Sequence, residues 1–318
     1  MFLNQQKPPI LEFKNITKKF GNNEVLKGIT FNIYEGELFG LIGRSGAGKT
    51  TLLRTLMGYY PTDSGNIFFR GRDISKSLRE IRTIFGFTTQ DSCFYEELTP
   101  IDNMEYFGKM YGIKKKEIQQ RTEELLKLVD LWDSKNTKAE DLSGGMKRRL
   151  DMAISLIHKP RILILDEPTT GLDPILRKGI WQLIKKVNQT GVTIIMSSHL
   201  LDEMEYLCTN VAMIKNGKLL IKGTPKQLKT FYSRNQEVKL ESYPGNYRSL
   251  MKELKKQNLQ IYYPRHEGNK LVFYTPDTTT IMRMLPTLLK NIKETLTEIS
   301  IEKPNLSEVF EALSRYNS

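Results

Sequence analysis

The sequence predicts an α/β fold built on a parallel sheet, and three observations carry that expectation. Short β-branched runs alternate with amphipathic stretches in strand–helix–strand order, which implies parallel strands joined by crossover helices. A glycine-rich loop, "GRSGAGKT" at 43–50, follows an apolar strand and opens a helix. A Lys- and Glu-rich helical texture runs from about 91 to 158, between the two parts of that core, as an inserted helical subdomain would.

Each element follows in order. Residues 10–35 alternate apolar and polar around Gly21-Asn22-Asn23, the pattern of an antiparallel strand pair. "ELFGLIG" is a buried strand, and "GKTTLLRTLMG" a helix with apolar residues at three- and four-residue steps. "SGNIFFRGRDI" is another short strand pair. Beyond the helical stretch, "RILILDEP" is a strand, 175–190 a helix and "GVTIIMSSH" the next strand. Asn216-Gly217 turns a hairpin, and a helix closes the first domain, residues 1–230. Residues 231–318 read strand, helix, two strands, helix, strand, helix, a small α+β domain whose last helix has capping-box spacing from Asn305 to Glu308.

Composition narrows the function. The 318 residues admit two domains, and 39% apolar with 26% charged residues describes an ordinary folded protein. Cys93 and Cys208 stand far apart without CxxC spacing, which argues against a disulfide framework or zinc site and fits a reducing compartment. The opening "MFLNQQKPPI" lacks the apolar core of a signal peptide, and no apolar run approaches the roughly 20 residues a membrane span needs. Any membrane role is therefore expected to come through a partner. The net charge of +12 admits nucleic acid, anionic lipid or nucleotide as a partner. It is spread out, however, and the run Lys114-Lys115-Lys116 has acids close behind it, so it reads as a solvated surface.

Two motifs carry chemistry. In the loop, Gly43, Gly46 and Gly48 let the backbone bend so that its N–H groups, with those of Arg44, Ser45 and Ala47, point at phosphate oxygens. Lys49 would reach the β- and γ-phosphates of a nucleotide, the Thr50 hydroxyl would bind Mg²⁺, and Thr51 continues the helix whose dipole favours an anion. Asp166 and Glu167 end the strand "ILIL", where a parallel sheet opens onto its ligand crevice. Alternation along an extended chain separates them, so that Asp166 can manage the metal while Glu167 acts as base or orients water. Taken alone, Asp-Glu-Pro after a strand could equally be turn chemistry.

Five elements then stand in fixed order: the phosphate loop, Gln90, "LSGGM" at 142–146, "ILILDE" and His199. Over residues 10 to about 230 they resemble the ATP-binding-cassette (ABC) family of ATPases. The resemblance implies a P-loop NTPase core with an antiparallel β subdomain and an inserted helical subdomain, followed here by the small α+β domain. It implies that Ser143, Gly144 and Gly145 bind the γ-phosphate of ATP held by an opposite subunit, so that two chains sandwich two ATP. It assigns adenine stacking to Phe20, contact with Mg²⁺ or attacking water to Gln90, a γ-phosphate hydrogen bond to His199 and an interface crossing to Asp173. The catalytic set is then Glu167, His199, Lys49 and Gln90, and the metal set Thr50, Gln90 and Asp166. Plainer readings stand beside these: Phe20 as core packing, and Ser143 and Asp173 as helix caps. Met146 departs from the family's usual glutamine, and His158 and His266 fit no motif.

Within the family, "LSGGMKRRLDMAISLIHKPRILILDEPTTGLDP" and "SSHLLDEMEYLC" are similar to ATPase subunits of exporters with a separate permease. The partners so implied are a second copy or a homologous ATPase subunit and a transmembrane permease, with no nucleic acid. The implied location is peripheral, on the cytoplasmic face of the membrane. Ser92, Phe94, Tyr95 and Leu98 are candidates for permease contact or, equally, for a local hydrophobic cluster. A soluble cassette ATPase acting on nucleic acid or ribosomes competes, although the chain has neither tandem cassettes nor a long coiled-coil insert. A nucleotide-binding module without catalysis is disfavoured by the presence of Lys49, Asp166, Glu167 and His199 together.

Overall fold

The computed structural model describes residues 8–75, 77–89, 93–232, 236–257 and 259–302. The chain divides into two compact units between Thr224 and Pro225, ahead of the boundary near 230 that the sequence suggests. The first unit begins with β1 (Leu11–Phe20), β2 (Asn23–Ile33), β3 (Leu38–Ile42), α1 (Lys49–Leu56), β4 (Ser64–Phe69) and β5 (Arg72–Asp73). Next come α2 (Leu78–Ile84), β6 (Phe85–Thr88), α3 (Pro100–Met110), α4 (Lys115–Leu128) and α5 (Gly144–Leu156). It ends with β7 (Ile162–Asp166), α6 (Pro174–Gln189), β8 (Thr193–Ser198), α7 (Leu201–Leu207), β9 (Asn210–Lys215) and β10 (Lys218–Gly223).

Two sheets share one core. The antiparallel sheet has the order β2-β1-β4-β5, and its alternation sends Leu11, Phe13, Ile16, Leu26, Ile29 and Phe31 inward. The larger sheet runs β10-β9-β3-β8-β7-β6, parallel except for the edge strand β10. Every residue of β3, β7 and β8 is buried, which explains why these strands read as apolar runs without alternation. All polar groups they carry toward function must therefore come at their carboxyl ends.

Local chemistry fixes the helical insertion. Thr99 and Asp102 form a reciprocal capping box at the start of α3, with Pro100 in the first turn. The buried Arg121 of α4 donates to the carbonyls of Leu156 and Ile157, at 2.6 and 2.5 Å, satisfying the end of α5. At the other side α5 lies against β6, a strand the sequence reading did not single out. Ser155 donates its hydroxyl to Phe87 O at 3.0 Å.

The second unit contains α8 (Pro225–Tyr232), β11 (Gln236–Tyr243), α9 (Tyr247–Lys256), β12 (Tyr262–Glu267), β13 (Lys270–Thr275), α10 (Thr278–Asn291) and β14 (Thr295–Glu302). Its antiparallel sheet has the order β12-β13-β11-β14, the split βαβ arrangement that the βαββαβ pattern implies. Val238, Leu240, Leu250, Leu254, Phe273, Ile281 and Leu285 form a core of its own. The capping box at Asn305–Glu308 and the last helix lie outside the described residues.

Gly86 marks the tightest approach between the sheet and α5, because a Cβ there would lie 2.2 Å from Ser155 O. Gly86→Ala is expected to push that helix away and to destabilise the protein by about 1–3 kcal/mol. Chemical denaturation with urea measures it, and an unchanged midpoint would refute the close approach.

Candidate functional site

The phosphate loop takes its shape from two glycines. Gly48 has φ 106°, a left-handed conformation that side chains resist, and it delivers the chain into α1. Gly43 leaves β3 so close to β9 that a Cβ would lie 2.6 Å from Ile214 O. The β9–β10 hairpin braces the loop from outside: Gly217 donates its N–H to Ala47 O at 3.1 Å. Lys49 is buried, and its ammonium donates to Gly43 O at 2.8 Å and Arg44 O at 3.4 Å.

The carboxylate pair arrives at the end of β7, in register with Ser197 of β8. Asp166 is buried and accepts at Oδ1 from the hydroxyls of Ser197 at 2.5 Å and Thr50 at 3.4 Å. Glu167 has φ 50°, a left-handed conformation for a residue with a side chain, held by its N–H donating to Ser197. Its carboxylate meets other partners than that of Asp166 does. Oε1 lies 3.6 Å from Lys49 Nζ, while Oε2 accepts from Thr170 Oγ1 at 3.0 Å and lies 3.2 Å from His199 Nδ1. Lys49, Thr50, Asp166, Glu167 and His199, drawn from β7, α1 and the loop after β8, thus meet at the carboxyl ends of the parallel strands. Ser197 and Thr170, which the sequence reading passed over, hold the two acids in place.

Ser143, Gly144, Gly145 and Asp173 form a separate group at the starts of α5 and α6. Ser143 caps α5 and accepts from Met146 N–H at 3.3 Å, so the odd residue of "LSGGM" contributes its backbone. The N–H groups of Gly144 and Gly145 open the helix, where no intrahelical acceptor exists for them. A Cβ on Gly145 would meet Leu176 Cδ2 at 3.2 Å, so the start of α5 sits beside the start of α6. Asp173 caps α6, accepting from Ile175 and Leu176 N–H at 2.9 and 3.0 Å. No hydrogen bond or ion pair among the described residues joins Ser143 or Asp173 to the phosphate loop. Phe20, at the end of β1, is 44% exposed rather than packed in the core, and meets Tyr60 edge-on with ring centroids 5.0 Å apart. Gln90 and Ser92 lie outside the described residues. Of the other permease candidates, Phe94 is buried and so packs inside, Leu98 is half-buried, and Tyr95 is exposed.

Among the described residues no group of three or more His, Cys, Asp or Glu could cage a metal ion. The Thr50 hydroxyl and Asp166 carboxylate offer instead two hard oxygens side by side, a set that suits Mg²⁺ completed by phosphate oxygens.

Comparison with known proteins agrees with this geometry. The ABC transporter family model matches residues 26–170. The linearmycin resistance ATP-binding protein LnrL of Bacillus subtilis is 40% identical over 219 residues, covering 69% of this chain and 70% of that protein. The chain belongs to the ATP-binding proteins of ABC transporters. It binds ATP and hydrolyses it, as members of the family do. The Nod factor export ATP-binding protein I of Ralstonia nicotianae is 36% identical over 222 residues, 70% of this chain and 69% of that one. A counterpart from Rhizobium sp. is 34% identical over 269 residues, 84% and 86% of the two chains. Among solved structures, cbiO1 from Clostridium perfringens, part of the ABC transporter complex cbiONQ, superposes with a TM-score of 0.66 at 30% identity. That match covers 70% of this chain and 91% of cbiO1.

In this ABC ATPase the signature helix α5 also bonds to Thr89 and Cys93. The Arg148 guanidinium donates to Thr89 O at 3.1 Å, and the buried Asp151 accepts from Cys93 N–H at 2.9 Å. Burial pushes the Asp151 carboxyl up to about 6, against the opposing influence of the Cys93 N–H and of Arg148. An acid whose affinity for its proton rises on folding stabilises the folded state most when protonated. That contribution is present in full below the ordinary aspartate range, near pH 4, and is lost as pH rises through about 6. Asp151→Asn, which keeps the carbonyl acceptor without the charge, is therefore expected to be the more stable protein at pH 8, by on the order of 2 kcal/mol. The gap closes toward pH 4. Melting temperatures of both proteins across pH 4–8 measure it, and a constant gap would contradict the buried charge.

Proposed function

We propose that this chain is the energising subunit of an exporter, closing head to tail with a second copy around two ATP and driving a separate permease from the cytoplasmic face. The observation that carries the catalytic part is the placement of Glu167. Its carboxylate lies within 3.6 Å of Lys49 and 3.2 Å of His199. In this reading Lys49 exchanges its loop carbonyls for the β- and γ-phosphates, and the loop N–H groups of residues 43–51 cradle them. Thr50 and Asp166, with Gln90, would hold Mg²⁺, which neutralises charge developing on the phosphates. Glu167 takes the proton from, or orients, the attacking water, and His199 hydrogen-bonds the γ-phosphate. Phe20 stacks on adenine, with Tyr60 supporting its edge.

Dimerisation has support in the surface beside the signature. Ile175 and Leu176 are 83% and 39% exposed at the first turn of α6, directly after Asp173 and next to Gly145. Apolar side chains so placed, flanking a serine and two free helix-start N–H groups, suit a face covered by a second copy. For the permease, the support is an aromatic patch. Tyr95 donates its hydroxyl to Tyr106 at 3.1 Å, Phe107 lies beside them, and Met110 is 67% exposed one turn on. No helix among the described residues is long and apolar enough to cross a membrane, so transport would need that second protein. The export direction rests on the relatives' printed roles in linearmycin resistance and Nod factor export.

Glu167→Gln keeps the shape and removes the base. Its ATP turnover is expected to fall by at least about 100-fold, while ATP binding persists and an ATP-dependent dimer accumulates in size-exclusion chromatography. Turnover equal to the wild type would sink the assignment.

A further inference from the structure

We propose that Glu203 is a positioning residue that fixes the turn between Glu167 and Asp173 against the segment carrying His199, and so sets the catalytic carboxylate relative to its histidine. The inference rests on the role proposed above for Glu167.

Glu203 lies on α7, four residues after His199, and its side chain is wholly buried, at 0% exposure. One oxygen, Oε1, accepts from the Thr169 hydroxyl at 2.8 Å and from the Trp181 indole N–H at 2.7 Å. The other, Oε2, has no hydrogen-bond partner among the described residues. Thr169 stands two residues after Glu167 and is itself buried, and Trp181 belongs to α6, the helix that Asp173 caps. A single carboxylate oxygen thus joins the catalytic turn, the helix beyond it and the helix that follows His199. Removing a carboxylate from water is costly, and an apolar side chain would fill this place without that penalty. What the carboxylate supplies is a fixed acceptor for the turn.

The turn needs one. Its own hydrogen bonds, Thr170 N–H to Glu167 O and Leu172 N–H to Thr169 O, both at 3.2 Å, set its shape but not its place in the protein. Glu167 enters it through an unfavourable left-handed backbone conformation, which persists only where the surroundings enforce it. α7 is a firm anchor, because it lies flush on β3: a Cβ on Gly40 would stand 2.4 Å from Met204 Sδ and 2.8 Å from Cys208 Sγ. The same short segment therefore grips the turn twice. His199 meets the Glu167 carboxylate, and Glu203 meets Thr169 two residues further on. A slip between α7 and the turn would change the Glu167–His199 geometry directly, and misplacement of a catalytic group by about 1 Å can cost up to roughly 100-fold in rate.

The two donors on Oε1 serve different ends, and this separates positioning from general stability. Thr169→Val removes only the hydroxyl on the turn, and Trp181→Phe removes only the indole donor on α6. Steady-state ATP hydrolysis by the full chain, with melting temperatures, is the measurement. Thr169→Val is expected to lower kcat by about tenfold or more, with KM for MgATP changed by less than about threefold. Thr169→Ser, which keeps the hydroxyl, recovers most of that rate. Trp181→Phe lowers the melting temperature and changes kcat by less than about threefold. Glu203→Ala shows the kcat loss of Thr169→Val, and combining the two adds no further loss, as expected of partners in one interaction. A Thr169→Val rate within about twofold of the wild type, alongside an inactive Glu167→Gln, would overturn this inference alone. So would equal kcat losses in Thr169→Val and Trp181→Phe. Full turnover in Glu167→Gln would instead remove the reading on which it rests.

Discussion

Lys49 carries a positive charge at only 4% exposure, and much of the first unit is arranged around that fact. A buried ammonium without partners would be strongly destabilising, and here two loop carbonyls and the Glu167 carboxylate surround it. The Gly43 carbonyl can face Lys49 because β3 and β9 run side by side, Ile42 opposite Met213, with no side chain on Gly43 to part them. The Glu167 carboxylate can face it because β7 and β8 hold Asp166 opposite Ser197, and Ser197 in turn fixes the bend at Glu167. The registers of four parallel strands thus converge on one ammonium. The same arrangement makes phosphate a natural exchange partner, since its oxygens can replace the carbonyls without leaving the charge bare.

The signature serine and its glycines stand outside that convergence. Their environment is the start of α6, where Asp173 caps the helix and Ile175 faces outward. This division into two groups has a physical logic. A helix start offers donors without intrahelical partners, and the phosphate loop already occupies the carboxyl end of β3. On the proposed function, such a second anion-binding group in the same chain serves a nucleotide held elsewhere. In the proposed head-to-tail pairing of two copies, each group would meet the other's loop.

The strands and the motifs at their ends were legible in the sequence because burial on both faces leaves a plain apolar run, and the acids or glycines interrupt it sharply. Elements without such a signature were not. β6 is four residues long and contains Gly86, which looks like a turn residue until α5 is placed against it. Phe94 read equally as a permease contact or as part of a local hydrophobic cluster, and it is buried, whereas the neighbouring Tyr95 and Tyr106 form the exposed pair. Ser197 and Thr170 carry no motif of their own, because a hydroxyl beside an acid of the site is defined by distance rather than spacing. Asp151 and Glu203 were harder still. On a helix written out as letters, an acid among charged neighbours reads as solvent-facing, and only tertiary packing shows it sealed inside.

Those two acids act alike, and their likeness explains how loops at the site stay placed. Ladder hydrogen bonds locate a strand, but a loop at the site has none, and its buried donors still require acceptors. Asp151 extends from the signature helix to the Cys93 N–H, and Glu203 extends from α7 to the Thr169 hydroxyl. A charged acceptor makes a stronger bond than a neutral one, at the cost of desolvating a carboxylate. Apolar packing in either place would give more stability and less definition, since it constrains a loop's volume but not its orientation. The fold therefore accepts a buried acid at the two points where a helix must dictate the position of a loop beside the site.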